Sequence, residues 1–251
     1  MGDRNRKSKR LLAEHPTCTY CGGVNGSTSR DHCPPITIFD DRWRPEGMEF
    51  GACSACHEGT REMDAVVGLV SRIYGAGGKS EFEVWKAARS VTSSFPHLFE
   101  RFTLSDEQVT YHGAPGHVIE IEPESALNGV MNVFAARMVL ALYRLQHSEP
   151  APPSSRILCQ WNTNVGLDSD ADLDEFLRLL GLPKTLVQGR KSVADQFRFW
   201  AANDAEGHLF AAVAVFRQSF GIIGFVDTRE EGYAFEPMFR PGFLQGYRVK
   251  A

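Results

Sequence analysis

Cysteine is almost missing from the last three-quarters of this 251-residue chain: five of its six cysteines precede residue 57, and Cys159 stands alone. A disulfide framework spread over the whole fold is thereby excluded, and whatever the cysteines do is local. An excess of positive charge is also lacking. Lys and Arg number 27 against 31 Asp and Glu, a net charge of −4, which excludes a globally basic coat for nucleic acid. Long unbroken apolar runs are absent too. The two most apolar stretches, residues 127 to 145 and 209 to 226, are interrupted by Arg137 and Arg217, so no membrane span is expected. The opening MGDRNRKSKR has no apolar segment behind its charges, so no secretory signal is expected either. The expected compartment is a reducing cytoplasm, where clustered cysteines hold a metal more often than they form disulfides. Walker loops, dinucleotide fingerprints, GxSxG elbows and HExxH pairs do not occur.

What is present reads as an ordinary globular chain, 43% apolar and 23% charged, long enough to bury a core. Residues 1 to 12 carry Arg4, Arg6, Lys7, Lys9 and Arg10 against Asp3 alone; a solvated terminus and a phosphate-contacting arm are both consistent with that. Residues 13 to 59 are rich in Cys, Gly, Pro and Asp and need a staple to hold together. From Thr60 the spacing of Met63, Val66, Val67, Val70 and Tyr74 predicts a helix up to the GAGGK break. A second helix is predicted over Glu81 to Val91, then an aromatic piece (Phe95, Leu98, Phe99, Phe102), a GAPG turn and an HVIEIE strand ended by Pro123. The longest helix is predicted from Ser125 to Gln146 and is stopped by the proline-rich 149 to 155 connection. Beyond it come a strand over Arg156 to Trp161, a helix over Asp172 to Leu180, and strands over Gln196 to Ala202, Leu209 to Phe216 and Gly221 to Val226. Three regions are expected: 1 to 64, 65 to 148 and 156 to 251.

Two CxxC pairs, Cys18-Thr19-Tyr20-Cys21 and Cys53-Ser54-Ala55-Cys56, are the strongest motif. Each pair can turn tightly enough to bring two sulfurs to one ion, and two pairs complete a tetrahedral zinc site. A redox-active CxxC is the alternative. Between and beside the pairs lie Asp31-His32, Pro34-Pro35 and His57. Taken singly, Asp31 can cap a turn, and His32 and His57 can be satisfied polar residues.

These residues together resemble the HNH endonuclease family. The resemblance rests on Cys18-x-x-Cys21, Asp31-His32-x-x-Pro35 and Cys53-x-x-Cys56-His57, and covers about residues 16 to 65. It implies a zinc-stabilised ββα-metal module in the N-terminal region; with the helices and strands read beyond it, the expected class is α+β, that module followed by helices and a small antiparallel sheet. It also implies Asp31 and His57 as ligands of a catalytic divalent ion, and His32 as general base; only two protein ligands leave positions for water and phosphate, which suits Mg²⁺ or Mn²⁺ and does not exclude zinc. The polymer cut would be nucleic acid, DNA first. The family's middle Asn, which ties down the loop ahead of the second CxxC, has no counterpart: no Asn lies between His32 and Cys53. Either another group fixes that loop, or the module is a non-catalytic zinc-binding unit for nucleic acid or protein.

The active reading is chemically coherent. Imidazole can accept a proton from water near neutral pH, and a divalent ion stabilises charge on a scissile phosphate. Nine cations lie within the first 62 residues, but nine acids do as well. Any phosphate-binding patch must therefore be directional; Arg30, Arg42 and Arg44, which flank the site in sequence, are the expected contacts. Cys33 and Cys159 read as small buried side chains. The aromatic run Phe197, Phe199, Trp200, Phe210, Phe216, Phe220 and Phe225 reads as core, because it alternates within strands.

Overall fold

The computed structural model describes residues 3–73, 81–97, 109–111, 119–121, 125–163, 171–217 and 219–249. The basic N-terminal stretch is helical: α1 (Asp3–Glu14) half-buries Leu11 and Leu12 and leaves Arg6, Lys7, Lys9 and Arg10 exposed. Strands β1 (Ser29–His32) and β2 (Glu49–Ala52) pair antiparallel, with Ser29 opposite Ala52 and His32 opposite Glu49. One turn of helix, α2 (Ser54–His57), and the longer α3 (Thr60–Ile73) follow at once. Met63, Val66, Val67 and Val70 are buried along α3, the stripe whose spacing predicted it. Helix α4 (Glu81–Ser94) packs on α3. Strands β3 (Val109–Tyr111) and β4 (Ile119–Ile121) form a two-stranded ribbon. The expected GAGGK break, GAPG turn, Leu98, Phe99, Phe102, His117 and Pro123 lie outside the described residues.

Helix α5 (Ala126–His147) organises the rest. Ser125 caps it, accepting the Asn128 backbone N–H at 3.1 Å, and Ser148 closes it at a φ of 60°. A helix apolar on all sides needs partners on all sides. By length and composition α5 is apolar enough to cross a membrane, yet 67% of its most apolar window is buried inside the protein. It is a core helix, with α3 on one side and a four-stranded sheet on the other.

That sheet is built from β5 (Arg156–Thr163), β8 (Phe197–Asn203), β9 (Leu209–Phe216) and β10 (Phe220–Asp227) in the order β5-β10-β9-β8. The last three form the expected meander, and β5 adds antiparallel to its free edge with Cys159 opposite Gly224. Helix α6 (Ala171–Leu180) contacts β8 and β9, and β6 (Val187–Gln188) and β7 (Lys191–Ser192) make a short ribbon. Phe197, Phe210, Phe216 and Phe220 are buried as core. Phe134 of α5 meets Phe216 edge-on at 5.5 Å and Phe220 at 6.3 Å. The connection over residues 149 to 155 is itself packed, with Ala151 fully buried. One buried cluster runs from Cys18 to Val249.

Phe134→Ala is expected to cost about 3–5 kcal/mol, as for other large-to-Ala changes in tight cores. Urea unfolding checks it: the midpoint should drop while the m-value stays unchanged.

Candidate metal centre and adjoining polar site

The first CxxC lies on a turn made by Gly22 and Gly23 at φ of 67° and 77°, a conformation that favours glycine. A Cβ on Gly22 would stand 2.8 Å from the Pro153 nitrogen and 2.9 Å from the Ala151 oxygen, so the proline-rich connection presses on this turn. The second CxxC opens α2, where the amides of Cys56 and His57 donate to the Cys53 carbonyl. The hairpin brings the two pairs together. All four sulfurs lie within 4.8 Å of one another and all four residues are buried. Tetrahedral zinc with bonds of about 2.3 Å would set its sulfurs about 3.8 Å apart, so the donor set fits.

Sulfur chemistry agrees with a cation there. The Cys18 thiol is shifted down by the hydrogen bond it accepts from Cys56, and Cys56 is pushed up by that same bond. Four thiols this close cannot all ionise without a compensating positive charge. The Asn25 amide also points at Cys21 Sγ, 3.4 Å away. The C-terminal segment closes over both pairs: the Gly242 amide donates to the Tyr20 carbonyl at 2.7 Å and the Gly246 amide to the Ala55 carbonyl at 3.3 Å. None of the six cysteines forms a disulfide.

Beside the sulfurs, the hairpin sorts its side chains by face. Ser29 and Asp31 point one way, together with His57. Asp31 is buried, and its Oδ1 lies 3.9 Å from His57 Nε2. Ser29 Oγ donates to the Ala52 carbonyl at 3.2 Å, which leaves it an acceptor for His57 Nδ1–H at 2.6 Å. Arg30 and His32 point the other way. His32 Nε2 lies 3.1 Å from Glu49 Oε1, the residue opposite it in register, and Arg30 lies 3.6 Å from Glu49 Oε2. The hydrogen bond from His32 is the chief reason the Glu49 carboxyl sits below its ordinary value. His32 and His57 each keep 32% side-chain exposure, enough to be reached from solvent.

Asp31 has further partners that sequence reasoning missed. Arg137, fully buried in the middle of α5, donates to Asp31 Oδ1 at 2.6 Å and Oδ2 at 2.8 Å, and also to Asp64 of α3. The Tyr20 hydroxyl, from inside the first CxxC, donates to Asp31 Oδ2. Burial alone would raise the Asp31 carboxyl, but Arg137, His57 and Tyr20 outweigh it and hold it below the usual range. Asp64 goes the other way, pushed up to about 6, chiefly by burial and then by the Asp31 charge, with Arg137 opposing. A charged residue inside an apolar helix signals a buried ion pair in advance, but spacing cannot name its partner.

The expected arginine contacts divide. Arg42 is exposed, whereas Arg30 is engaged with Glu49. Arg44 requires a correction: only 2% of its side chain is exposed. Its guanidinium donates to the carbonyls of Pro34 at 3.2 Å, Pro45 at 3.3 Å and Met48 at 2.8 Å, so no donor face is turned to a phosphate. Arg44 instead ties together the two ends of the loop that lacks Asn. Comparison with known proteins finds no match: no family model, curated protein or solved structure aligns with this chain.

Metal analysis of the purified chain should find about one zinc per molecule, and Cys56→Ser should lose it along with thermal stability. No zinc, together with thiols that cycle with a dithiol, would instead mark a redox CxxC. Asp31→Asn leaves Arg137 without its main counter-charge and should cost about 3–5 kcal/mol in urea unfolding, zinc content unchanged.

Proposed function

We propose that the chain is a metal-dependent endonuclease of the HNH type, in which the four cysteines hold structural zinc and the hairpin carries the chemistry. The observation that carries this reading is the pairing of Asp31 Oδ1 with His57 Nε2 at 3.9 Å. In its neutral form, with Nδ1–H directed to Ser29, His57 turns an imidazole lone pair to a carboxylate oxygen, an arrangement that a cation completes in place of the proton. Two donors on one divalent ion with bonds of about 2.1 Å stand roughly 3 to 4.2 Å apart. Asp31 Oδ2 is saturated by Tyr20 and Arg137, whereas Oδ1 accepts one hydrogen bond, from Arg137, and keeps a lone pair. A Mg²⁺ or Mn²⁺ ion held there would supply Lewis-acid stabilisation of the scissile phosphate.

The chain's own groups supply the remainder. Glu49 accepts His32 Nε2–H, which leaves His32 Nδ1 as the basic nitrogen and orients the ring. The strand turns His32 and the Asp31–His57 pair to opposite faces, but His32 is the last residue of β1, so the reading requires a phosphate lying across that strand end, where a water can lose its proton to His32 Nδ1 as it attacks phosphorus. Arg44 holds Met48 and Pro34 in place and so fixes Glu49 and His32 from behind. It takes over the loop-fastening task that the family assigns to Asn.

A second reading, a zinc-scaffolded binding module without cleavage, draws on Arg137. The guanidinium already neutralises Asp31, which weakens the demand for a second cation. Incubation with plasmid, linear duplex, single-stranded DNA and RNA across Mg²⁺, Mn²⁺, Ni²⁺ and Zn²⁺ separates the two. The nuclease reading expects cleavage that falls by about 10²- to 10⁴-fold in His32→Ala and a shifted pH profile in Glu49→Gln. Cleavage unchanged in His32→Ala would overturn the role given to His32, and none with any ion would favour the binding module.

A further inference from the structure

The −4 charge of the whole chain leaves open how it would hold a polyanion, and the structure removes Arg30 and Arg44 from the reckoning. Helix α1 is the remaining concentration of positive charge near the site: DRNRKSKRLLAE carries five cations and two acids. Its placement is set at two points. Lys7 pairs with Glu46 in the loop before β2. At the other end, a Cβ on Gly51 would stand 2.5 Å from the His15 carbonyl oxygen, so the chain leaving α1 passes directly over that residue. Gly51 lies opposite Arg30 and two residues from Glu49, and therefore shares their face of the hairpin. Glu46 and Gly51 bracket Glu49, the partner of His32. Helix α1 thus runs alongside the His32–Glu49 pair, on the face turned away from Asp31.

On that helix Arg10 is engaged by Glu14 and Lys7 by Glu46. Arg6 and Lys9, both exposed, make no ion pair among the described residues. Three positions apart, they fall on neighbouring parts of the outer surface. We infer that α1 is the docking surface for a nucleic-acid phosphate backbone, with Arg6 and Lys9, on the side of the helix away from the half-buried Ser8, Leu11 and Leu12, contacting phosphates. The surface rests on reading His32 as a phosphodiester site. Contacts to phosphate oxygens give register and affinity without sequence preference.

The test is fluorescence anisotropy of a short labelled DNA duplex, with no divalent ion added and His32→Ala as background, so that cleavage plays no part. Binding is followed as salt is raised, for that protein, for Arg6→Ala/Lys9→Ala, and for Lys86→Ala/Arg89→Ala on α4 as a match in charge and spacing. Alanine keeps both helices. The α1 pair is expected to lower the slope of log K against log salt by about 1.8, two contacts at about 0.9 each, and the α4 pair to leave it unchanged. Equal loss in both pairs, loss in neither, or binding of anionic vesicles in place of duplex overturns the proposal. Binding through α1 by a protein that cuts nothing would end the nuclease reading and keep this surface. Cleavage with a salt slope indifferent to α1 would end this surface alone.

Discussion

A single buried guanidinium sets the terms for the rest of the molecule. Arg137 has no contact with water, and a charge taken out of solvent is tolerated only where paired carboxylates and good hydrogen bonds replace its hydration. Its partners come from two other elements: Asp31 on β1 and Asp64 on α3. Helix α5 can therefore sit in only one rotation against the hairpin. The same helix turns Phe134 to the sheet, so fixing Arg137 on one side fixes the aromatic core on the other. Tyr20 carries the constraint into the four-cysteine cluster, since it lies between Cys18 and Cys21 and bonds the carboxylate that Arg137 holds.

The zinc-type cluster and the ion pair solve one problem by two routes. The segment from residue 15 to 57 is short of extended apolar surface and rich in turns, so it cannot hold a fixed shape alone. Four sulfurs gather its ends around a point where an ion would pin them, and Arg137, Arg44 and the C-terminal segment hold its middle and flanks. The outcome is a two-stranded hairpin that presents different chemistry on each face. One face offers a carboxylate and an imidazole to a common point; the other offers an imidazole oriented by a carboxylate, with a basic helix alongside.

Much of the secondary structure was legible because periodicity is a local property. The α3 stripe, the α5 run with its Ser125 cap, and the meander over β8 to β10 each declare themselves within a dozen or so residues. The basic terminus was ambiguous for an equally physical reason: its charges favour solvent in either state, and the half-burial of Leu11 and Leu12 in a helix packed on β1 and β2 is decided only by the tertiary fold. Arg44 was misread because a lone arginine near a site looks the same whether it faces phosphate or backbone carbonyls. Arg137 was seen only as a break in an apolar run.

The sequence by itself determined which atoms could bind metal. Two CxxC pairs name their own ligands, because turn geometry within four residues suffices to aim two sulfurs. Only the tertiary structure decided that Asp31 meets His57, Arg137 and Tyr20, that Glu49 orients His32, and that Arg44 fastens the loop. Those pairings depend on register and on the rotation of a helix about a hundred residues away, and they are chosen by the requirement that every buried charge find a partner.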